Sequence, residues 1–337
     1  MSDAAAPLAV LGAGSWGTAL AIQFARAGHP TRLWSRDPAH QVAMAKSRRN
    51  SHYLPDAPFP ETLSVVCGFN EALDGVSEIL IAIPSHALRG LLKEIAPLLT
   101  TDTRLAWATK GFELETGLLP HQVARELLGT TRSFAVLSGP TFAREVGVGL
   151  PTAMTIASAD AKFAIALAHS LSASNFRAYT STDIIGVEVG GATKNVLAVG
   201  AGLADGLGFG ANTRVALITR GLVEMTRLGV ALGAQRETFM GLAGLGDLVL
   251  TCTDDQSRNR RFGLLLAAGK SVDEALKEIG QVVEGYLAAC AVHQVAAREK
   301  VEMPICEGIY RLLYEGLPAR EVVKALMTRP IKAEFSE

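Results

Sequence analysis

The sequence has almost no net charge. Its 32 lysines and arginines are balanced by 33 aspartates and glutamates, which leaves a formal net charge of -1. Such a balance gives no overall field that would attract nucleic acid or an anionic membrane. We therefore expect no nucleic acid as a partner. The partner that we predict is a small-molecule substrate, which rests on the motifs described below.

Cysteine is scarce, and the spacing of the cysteines shows no paired motif. The chain has four cysteines, which are far apart: Cys67, Cys252, Cys290 and Cys306. No C-x-x-C pair occurs, and no histidine lies at a metal-ligand spacing from them. This usage predicts reduced thiols in the cytoplasm and no metal site.

The sequence also lacks a targeting pattern and a long apolar run. The first residues, MSDAAAPLAVLGAG, have no basic segment and reach glycines too early for a signal peptide. No run approaches the roughly 18 uninterrupted apolar residues that a membrane helix needs. We therefore predict a cytoplasmic protein that is not a membrane protein.

Apolar residues and glycine are plentiful. The 337 residues are 49% hydrophobic and include 33 glycines, which is typical of a compact α/β enzyme with two domains. Segments such as Ile79–Ile83 are apolar throughout, as expected of strands covered on both faces. Eight strands are predicted: Leu8–Leu11, Thr31–Trp34, Leu63–Val66, Ile79–Ile83, Arg104–Thr109, Phe134–Leu137, Thr152–Ala157 and Phe176–Tyr179. Their alternation with helical stretches predicts an N-terminal Rossmann-type, doubly wound parallel sheet.

Beyond Thr182 the strand signals stop, and long helical patterns continue to the end of the chain. This change predicts an all-α C-terminal domain. We place the boundary so that residues 1–182 form a dinucleotide-binding domain and residues 183–337 a substrate-binding domain. No Ser/Pro-rich or low-complexity tract lies there, so no flexible linker is expected.

A glycine-rich turn follows the first predicted strand. In GAGSWG, Gly12, Gly14 and Gly17 have the G-x-G-x-x-G spacing, and an amphipathic run follows them. Such glycines allow a tight turn and close approach of the backbone to a pyrophosphate, and the helix N-terminus favours its negative charge. The strand before the motif and the helix after it favour a nucleotide site over an ordinary glycine turn.

The second predicted strand ends in LWSRDP. Ser35 occupies the position at which NAD-specific sites carry an acidic residue, and Arg36 follows it. An arginine there can bind the 2′-phosphate of NADP(H), so NADP(H) is favoured. Asp37 is close enough to keep NAD(H) open, and a solvated residue at a helix start is the alternative for Arg36.

Two further motifs follow predicted strands, where open α/β sheets bind their ligands. Lys110 in ATKG ends an apolar strand, which favours ligand contact over the alternative of a surface lysine. In SGPTFA, Gly139 and Thr141 follow the next strand and Ala143 opens a short helical run. Backbone amides and the threonine hydroxyl there could bind a phosphate or a carboxamide.

Polar groups interrupt the apolar pattern of the helical half. Lys194 in GGATKNVLAVGAG is either a snorkelling surface residue or a group held for chemistry, beside small residues that leave a space. Asp247 in GLAGLGDLVLTCT is either a helix N-cap or a catalytic residue. The cluster Ser257, Arg258 and Asn259 suits a phosphate at a helix N-terminus, and a charged surface helix is the alternative.

With these motifs assembled, the sequence resembles the bacterial-type NAD(P)-dependent sn-glycerol-3-phosphate dehydrogenase family along essentially its whole length. The motifs that carry the resemblance are GAGSWGTALA, NSHYLP, ATKGFE, LSGPTFAREV, GATKNVLAVGAG, GLGDLVLTCT, SRNRRFG, QVVEG and RPIKAEF. One departure is Thr193, where an apolar residue is expected before the lysine.

The resemblance implies reversible, NAD(P)H-dependent reduction of dihydroxyacetone phosphate to sn-glycerol 3-phosphate, which supplies the glycerophospholipid backbone, by a cytoplasmic homodimer. It implies cofactor contacts by Ser15, Trp16, Arg36, Lys110, Ala143, Arg258, Val282 and Glu284, with Tyr53 in a loop near them. It implies substrate contacts by Lys110, Gly139, Thr141, Lys194, Asp247, Ser257, Arg258 and Asn259. Lys194 matches the family's proton acceptor, and Lys110 and Asp247 assist it.

Two other interpretations are open at this point. The chain could be a different Rossmann dehydrogenase that binds a hydroxy acid or sugar acid through its carboxylate, in which case the cluster at Ser257–Asn259 would hold that anion. It could also be a dinucleotide-sensing protein without catalysis. The joint presence of Lys194, Lys110 and Asp247 favours an enzyme.

Overall fold

The computed structural model describes residues 6–331 and 333–334. Up to residue 181 its strands are β1 (Leu8–Leu11), β2 (Thr31–Trp34), β3 (Arg49–Asn50), β4 (Leu54–Pro58), β5 (Leu63–Val66), β6 (Glu78–Ile81), β7 (Arg104–Trp107), β8 (Phe134–Ser138), β9 (Thr152–Ser158) and β10 (Phe176–Ser181). The helices between them are α1 (Ser15–Arg26), α2 (Pro38–Ser47), α3 (Phe69–Leu73), α4 (Ser85–Ile95), α5 (Pro120–Leu128), α6 (Ala143–Val148) and α7 (Ala161–Leu171).

Eight of these strands form one sheet in the order β10, β9, β8, β7, β6, β1, β2, β5, with helices packed on both faces. The predicted α/β fold with a Rossmann-type sheet is confirmed, and all eight predicted strands are present with ends shifted by at most two residues. The hairpin of β3 and β4 was not predicted. Its first strand has two residues and its second, LPDAP, contains two prolines, which are rare inside strands.

The sheet is not parallel throughout, which corrects the prediction. Six strands, β1, β2 and β5 to β8, are parallel, but β9 runs antiparallel to β8, and β10 is parallel to β9. The connection from β8 to β9 holds only the six-residue helix α6, which packs against α1. With α6 held against α1, the chain re-enters the sheet from the end at which β8 leaves it, and β9 therefore pairs antiparallel to β8.

The rest of the chain is helical, as predicted. Its helices are α8 (Ile184–Gly206), α9 (Gly210–Ala231), α10 (Asp247–Thr253), α11 (Arg258–Ala267), α12 (Val272–Ile279), α13 (Glu284–Arg298), α14 (Pro304–Tyr314) and α15 (Ala319–Met327). A 3₁₀ turn at Arg236–Met240 and a π-helical turn at Leu242–Gly246 precede α10. Part of the RPIKAEF motif lies outside the described residues.

Helix α8 is the centre of the helical half, and α9, α10, α11, α13 and α14 all pack against it. Within the described residues it is the one helix long and apolar enough to cross a membrane, although Glu188 and Lys194 interrupt its apolar run. Because 94% of its most apolar window is buried inside the protein, α8 is a core helix.

Glycines let neighbouring helices approach α8 closely. A Cβ atom at Gly202 would lie 2.0 Å from the carbonyl oxygen of Arg260, and one at Gly263 would lie 2.1 Å from that of Val199. Real Cβ atoms do not approach backbone oxygen so closely, so α8 and α11 can cross at this distance only with glycine at both positions.

The two halves meet without a linker. Strand β10 ends at Ser181, α8 begins at Ile184, and the Asp183 carboxylate accepts hydrogen bonds from the backbone nitrogens of Gly186 (2.8 Å) and Gln235 (2.9 Å). Asp183 therefore caps α8 and ties it to the turn after α9. The division into domains 1–182 and 183–337 stays a prediction.

Candidate active site

Lys194 lies in the middle of α8 and is buried, with 7% of its surface exposed. Its Nζ atom lies 2.5 Å from Oδ1 of Asp247 and 3.1 Å from Oγ1 of Thr251. Lys110, which follows β7 in the sheet-containing half, places its Nζ 2.9 Å from the other carboxylate oxygen of Asp247. Two ammonium groups from opposite halves of the molecule thus share one buried carboxylate.

These contacts shift the protonation of all three groups. Burial lowers the pKa of Lys194, the carboxylate of Asp247 opposes this shift, and the charge of Lys110 adds to it, so that the net pKa is about 8. Burial also lowers the pKa of Lys110, but attraction to Asp247 outweighs it and the net shift is upward. The two ammonium groups hold the pKa of Asp247 below its ordinary value against the effect of burial. Of the three groups, Lys194 thus has the pKa nearest to neutral pH.

The structure decides three alternatives that the sequence left open. Lys194 does not reach the surface, and Lys110 is not a free surface lysine. Asp247 does not cap a helix with its side chain, because it is the first residue of α10 and its oxygens face the two lysines. The glycines near Lys194 leave less space than expected. A Cβ atom at Gly190 would lie 2.5 Å from the carbonyl oxygen of Ala243, so that glycine serves helix packing.

A second polar group begins one residue after Lys194. Asn195 donates from Nδ2 to Oε2 of Glu284 (2.9 Å) and accepts at Oδ1 from Nδ2 of Asn259 (2.9 Å). Oδ1 of Asn259 in turn accepts from the backbone nitrogen of Gly285 at 2.8 Å. Asn195 thus joins α8, α11 and the start of α13, whereas the Thr193 hydroxyl donates to the backbone oxygen of Val189 within α8.

The start of α11 has mixed roles. Ser257 caps the helix by accepting from the backbone nitrogen of Arg260 at 3.2 Å. Arg258 is half-buried and donates to Gln281 at 3.2 Å. Arg260 is buried and forms ion pairs with Asp205 (2.5 Å) and Asp255 (2.8 Å), so it is not part of a charged surface helix.

The loop after β8 approaches Asp247 from the sheet-containing half. A Cβ atom at Gly246 would lie 3.4 Å from Pro140, and Thr141 Oγ1 donates to the carbonyl oxygen of Gly139 at 3.2 Å. Gly139 requires glycine, because its φ is +156° and a Cβ atom would lie 2.9 Å from Met154. Gly139 and Thr141 are thus held beside the lysine cluster.

The glycine-rich turn between β1 and α1 fits a dinucleotide. A Cβ atom at Gly12 would lie 2.4 Å from the carbonyl oxygen of Ala82, and one at Gly17 would lie 1.9 Å from that of Gly12, so both positions exclude other residues. A Cβ atom at Gly14 would meet no atom within 4 Å, which leaves the backbone open to a pyrophosphate. Nε1 of Trp16 is buried without a hydrogen-bond partner in the described structure. An orphaned donor in this loop suits a ligand that accepts.

The other predicted cofactor residues lie in two places. Ser15 donates to the carbonyl oxygen of Tyr53 at 3.1 Å, so these two share the glycine-rich turn, and exposed Arg36 follows the neighbouring strand β2. Ala143 packs with Trp16 against one core cluster. Lys110, Asn195, Val282 and Glu284 line a narrow cleft between the two halves, together with Ser85 and His86 at the start of α4.

Comparison with known proteins gives the family. Residues 7–164 match the model of the NAD-dependent glycerol-3-phosphate dehydrogenase N-terminus, and residues 183–324 match that of its C-terminus. The chain belongs to the NAD-dependent glycerol-3-phosphate dehydrogenase family. It is thus a member of a family of oxidoreductases.

Individual relatives of this dehydrogenase family agree over nearly the full length. The chain is 56% identical to "Glycerol-3-phosphate dehydrogenase [NAD(P)+]" of Aeromonas salmonicida over 328 residues, which are 97% of this chain and 98% of the relative. A crystal structure of glycerol-3-phosphate dehydrogenase from Coxiella burnetii has a TM-score of 0.93 at 47% identity, covering 96% of this chain and 99% of the other. The yeast enzyme has a TM-score of 0.83 at 26% identity, covering 94% and 98%.

In this member of the dehydrogenase family, four polar residues near the site were not predicted from the sequence: Thr251, Ser138, Asn50 and His40. Thr251 follows Asp247 by one helical turn, so its position on the same face was a usable signal. Ser138, whose buried Oγ has no partner in the described structure, directly precedes the Gly139 loop. Asn50 and His40 are buried or half-buried groups beside the glycine-rich turn, and single polar residues of this kind give no periodic signal.

Proposed function

We propose that the chain catalyses the reversible reduction of dihydroxyacetone phosphate to sn-glycerol 3-phosphate with NADPH or NADH, which supplies the glycerophospholipid backbone. The observation that carries this proposal is the cluster in which Lys194 and Lys110 share the buried carboxylate of Asp247. A cluster with two ammonium groups and one carboxylate has surplus positive charge, which suits a reaction that places negative charge on a carbonyl oxygen.

The cofactor, when bound, supplies or accepts the hydride at C2 of the substrate. Gly12, Gly14 and Gly17, with Ser15 and Trp16, would hold its pyrophosphate at the N-terminus of α1. Contacts farther along the cofactor are proposed for Arg36, Tyr53, Lys110, Ala143, Arg258, Val282 and Glu284.

Lys194 is proposed to move the proton. As negative charge develops on the C2 oxygen, Nζ of Lys194 donates a proton to it, and in the reverse direction the neutral amine removes the hydroxyl proton. Its pKa of about 8 makes both forms available near neutral pH. Lys110 stabilises the developing oxyanion, while Asp247 and Thr251 orient the Lys194 amine through the hydrogen bonds already present.

The substrate phosphate is proposed to lie near the start of α11. Arg258 supplies a guanidinium at the helix N-terminus, and Ser257 keeps a hydroxyl hydrogen because it only accepts from the backbone. Asn259 has one N–H left after bonding to Asn195. Gly139 and Thr141 close the substrate site from the sheet-containing half. Binding the phosphate away from C2 fixes C2 against the hydride donor.

Three finer points belong to the same proposal. We favour NADPH over NADH because Arg36 is exposed at the end of β2, where a 2′-phosphate would lie. We also propose a homodimer, because helical second domains of this kind often form dimers. A cytoplasmic location fits the reduced cysteines, since the structure contains four free thiols.

The test is the rate of NADPH and NADH oxidation by the purified chain with dihydroxyacetone phosphate or with ketopantoate. We expect turnover with the phosphate ester and little with the carboxylate. Arg258→Ala should lower kcat/KM for dihydroxyacetone phosphate, mainly through KM, by about 10- to 100-fold, as for a charge-assisted hydrogen bond of about 1.5–3 kcal/mol. Arg261→Ala, an exposed neighbour, is the matched control. Preference for ketopantoate would overturn the proposal.

A further inference from the structure

Four hydrogen bonds fix the side chain of Asn50, which is fully buried beside the glycine-rich turn. Its Nδ2 lies 2.9 Å from the carbonyl oxygen of Ala13 and 2.8 Å from Oγ1 of Thr18. Its Oδ1 lies 3.1 Å from the backbone nitrogen of Tyr53 and 3.0 Å from Nε2 of His40. A carbonyl only accepts and a backbone N–H only donates, so the amide cannot be turned around and Oδ1 is the acceptor.

This orientation fixes the tautomer of His40. Because Asn50 Oδ1 can only accept, Nε2 of His40 carries a hydrogen. In the neutral ring Nδ1 is then an acceptor, and it lies 3.3 Å from Oγ of Ser35. The Ser35 hydroxyl therefore donates its only hydrogen to His40.

Ser35 is left able only to accept from a ligand. The backbone nitrogen of Asp37 donates to its Oγ at 3.4 Å, so one lone pair remains. Ser35 follows β2 directly, and the backbone nitrogen of Gly12 bonds to the carbonyl oxygen of Trp34 at 2.9 Å. Ser35 thus occupies the place where a dinucleotide presents its ribose 2′ group.

We propose that His40 sets the hydrogen-bond polarity of the Ser35 hydroxyl and thereby determines how the site receives the ribose 2′ group. With neutral His40, Ser35 Oγ accepts from the 2′-hydroxyl of NADH. With His40 protonated on both nitrogens, Nδ1 donates to Ser35 Oγ, and the Ser35 hydrogen turns to the 2′-phosphate of NADPH. The inference rests on the proposed use of NAD(P)H. One proton is taken from solvent by His40 with NADPH, and none with NADH.

The surroundings of His40 contain charges of both signs. The charged or titratable side chains on the adjoining segments are Arg36 and Asp37 on the turn after β2, and Arg49, His52 and Tyr53 on the hairpin. The arginines oppose an imidazolium, and Asp37 favours it. Histidine changes charge between about pH 5 and 8, so a phosphate of nearly two negative charges beside it favours the protonated ring.

The test counts protons during cofactor binding. Calorimetric titration with NADPH and with NADH, near pH 7.5 in buffers of different ionisation enthalpy, gives the protons taken up. We expect wild type to take up more protons with NADPH than His40→Phe does, and both to take up equal numbers with NADH. Ionisation of the 2′-phosphate itself is common to both proteins. His52→Phe is the matched control, because the His52 ring also packs on Tyr53 but does not belong to the hydrogen-bonded series of Asn50, His40 and Ser35.

A second measurement tests the inference without a His40 variant, in case His40→Phe does not fold. Uptake of one proton raises affinity about tenfold for each unit of falling pH. Between pH 8 and 6 the ratio of NADPH to NADH affinity should therefore rise less steeply in Ser35→Ala than in wild type. Equal proton uptake in wild type and His40→Phe, or equal slopes in wild type and Ser35→Ala, would overturn the inference. Arg36→Ala separates the two proposals, since an unchanged affinity ratio there contradicts only the role of Arg36 in the NADPH preference.

Discussion

Two buried carboxylates of the helical half reach into the sheet-containing half, and their surroundings differ. Asp247 contacts two ammonium groups, one from each half. Glu188, six residues before Lys194 on α8, accepts from Nε1 of Trp107 (2.8 Å) and from the backbone nitrogen of His121 (3.0 Å). Nδ1 of His121 lies 2.5 Å from its second oxygen.

The difference separates a reaction site from a structural joint. A buried charge is costly unless it is paired and hydrogen-bonded. Around Glu188 every polar partner faces the carboxylate, and Trp107, His121 and Glu188 are all at least 95% buried. Around Asp247 two ammonium groups face one carboxylate, and Lys110 borders a cleft between the two halves. The hydrogen-bonded network around Glu188 therefore holds α8 in place, whereas the network around Asp247 has charge left to act on a substrate.

The largest effect is expected at Lys194. Lys194→Ala should lower kcat by about 10²- to 10⁴-fold, because it removes the proposed proton donor. NADPH affinity, followed by fluorescence titration, should stay close to wild type. Lys277→Ala, at an exposed lysine of α12, is the control. Near wild-type turnover in Lys194→Ala would mean that the network around Asp247 takes no part in the chemistry.

Asp247→Asn should change the pH dependence of the reaction. The carboxylate raises the pKa of Lys194, so its loss should move that pKa down from about 8, by about 1–3 units for an opposite charge in contact. Oxidation of glycerol 3-phosphate needs the neutral amine, so its kcat profile should rise at lower pH than in wild type. A pH profile that is unchanged or that moves to higher pH would contradict the proposed effect of Asp247 on the pKa of Lys194.

Glu188→Gln should act on stability and much less on catalysis. Glutamine keeps an acceptor for Trp107 but loses the charge, so the free energy of unfolding should fall by about 1.5–3 kcal/mol in urea titrations. The matched control is Glu94→Gln, at an exposed glutamate of α4. A loss of kcat as large as that in Lys194→Ala, without a loss of stability, would erase the distinction between the two networks.

The smallest effect on catalysis concerns a third buried carboxylate, Glu224 on α9, which accepts from the backbone nitrogens of Ile305 (2.7 Å) and Cys306 (3.1 Å). Burial raises its pKa to about 7. The folded state thus binds a proton more tightly than the unfolded state, and the stability contributed by that proton is lost as pH rises from about 4.5 to 7.

The predicted slope is up to about 1.4 kcal/mol per pH unit in that range. Glu224→Gln should remove this component, so the difference between variant and wild-type unfolding free energies should change between pH 5 and 7. A constant difference would mean that Glu224 does not titrate in this window.

The sequence predicts the sheet well because its buried strands are apolar on both faces. Ile79–Ile83 is such a run, and its strand is found within two residues of the predicted ends. The reversal at β9 could not be predicted from strand patterns, because it depends on where the short helix α6 packs. The β3 and β4 hairpin gives no apolar pattern at all.

The candidate site also contains residues that the sequence predicts and contacts that it does not. Lys194, Lys110 and Asp247 stand out because each is polar among glycines and apolar residues. Glu188 has partners 81 and 67 residues away, and contacts at such separations leave no spacing in the sequence. Arg260 directly follows the predicted phosphate cluster, and its role as a buried ion-pair partner depends on Asp205, far away in the chain.

The glycine crossing of α8 and α11 has a consequence for genetics. The same two helices carry Asn195 and Asn259, whose side chains are 2.9 Å apart. A methyl group at Gly202 or Gly263 would force the helices apart and stretch this bond, although neither glycine touches a ligand. Alleles such as Gly263→Ala are thus expected to be temperature-sensitive, with substrate affinity lost at a lower temperature than the fold.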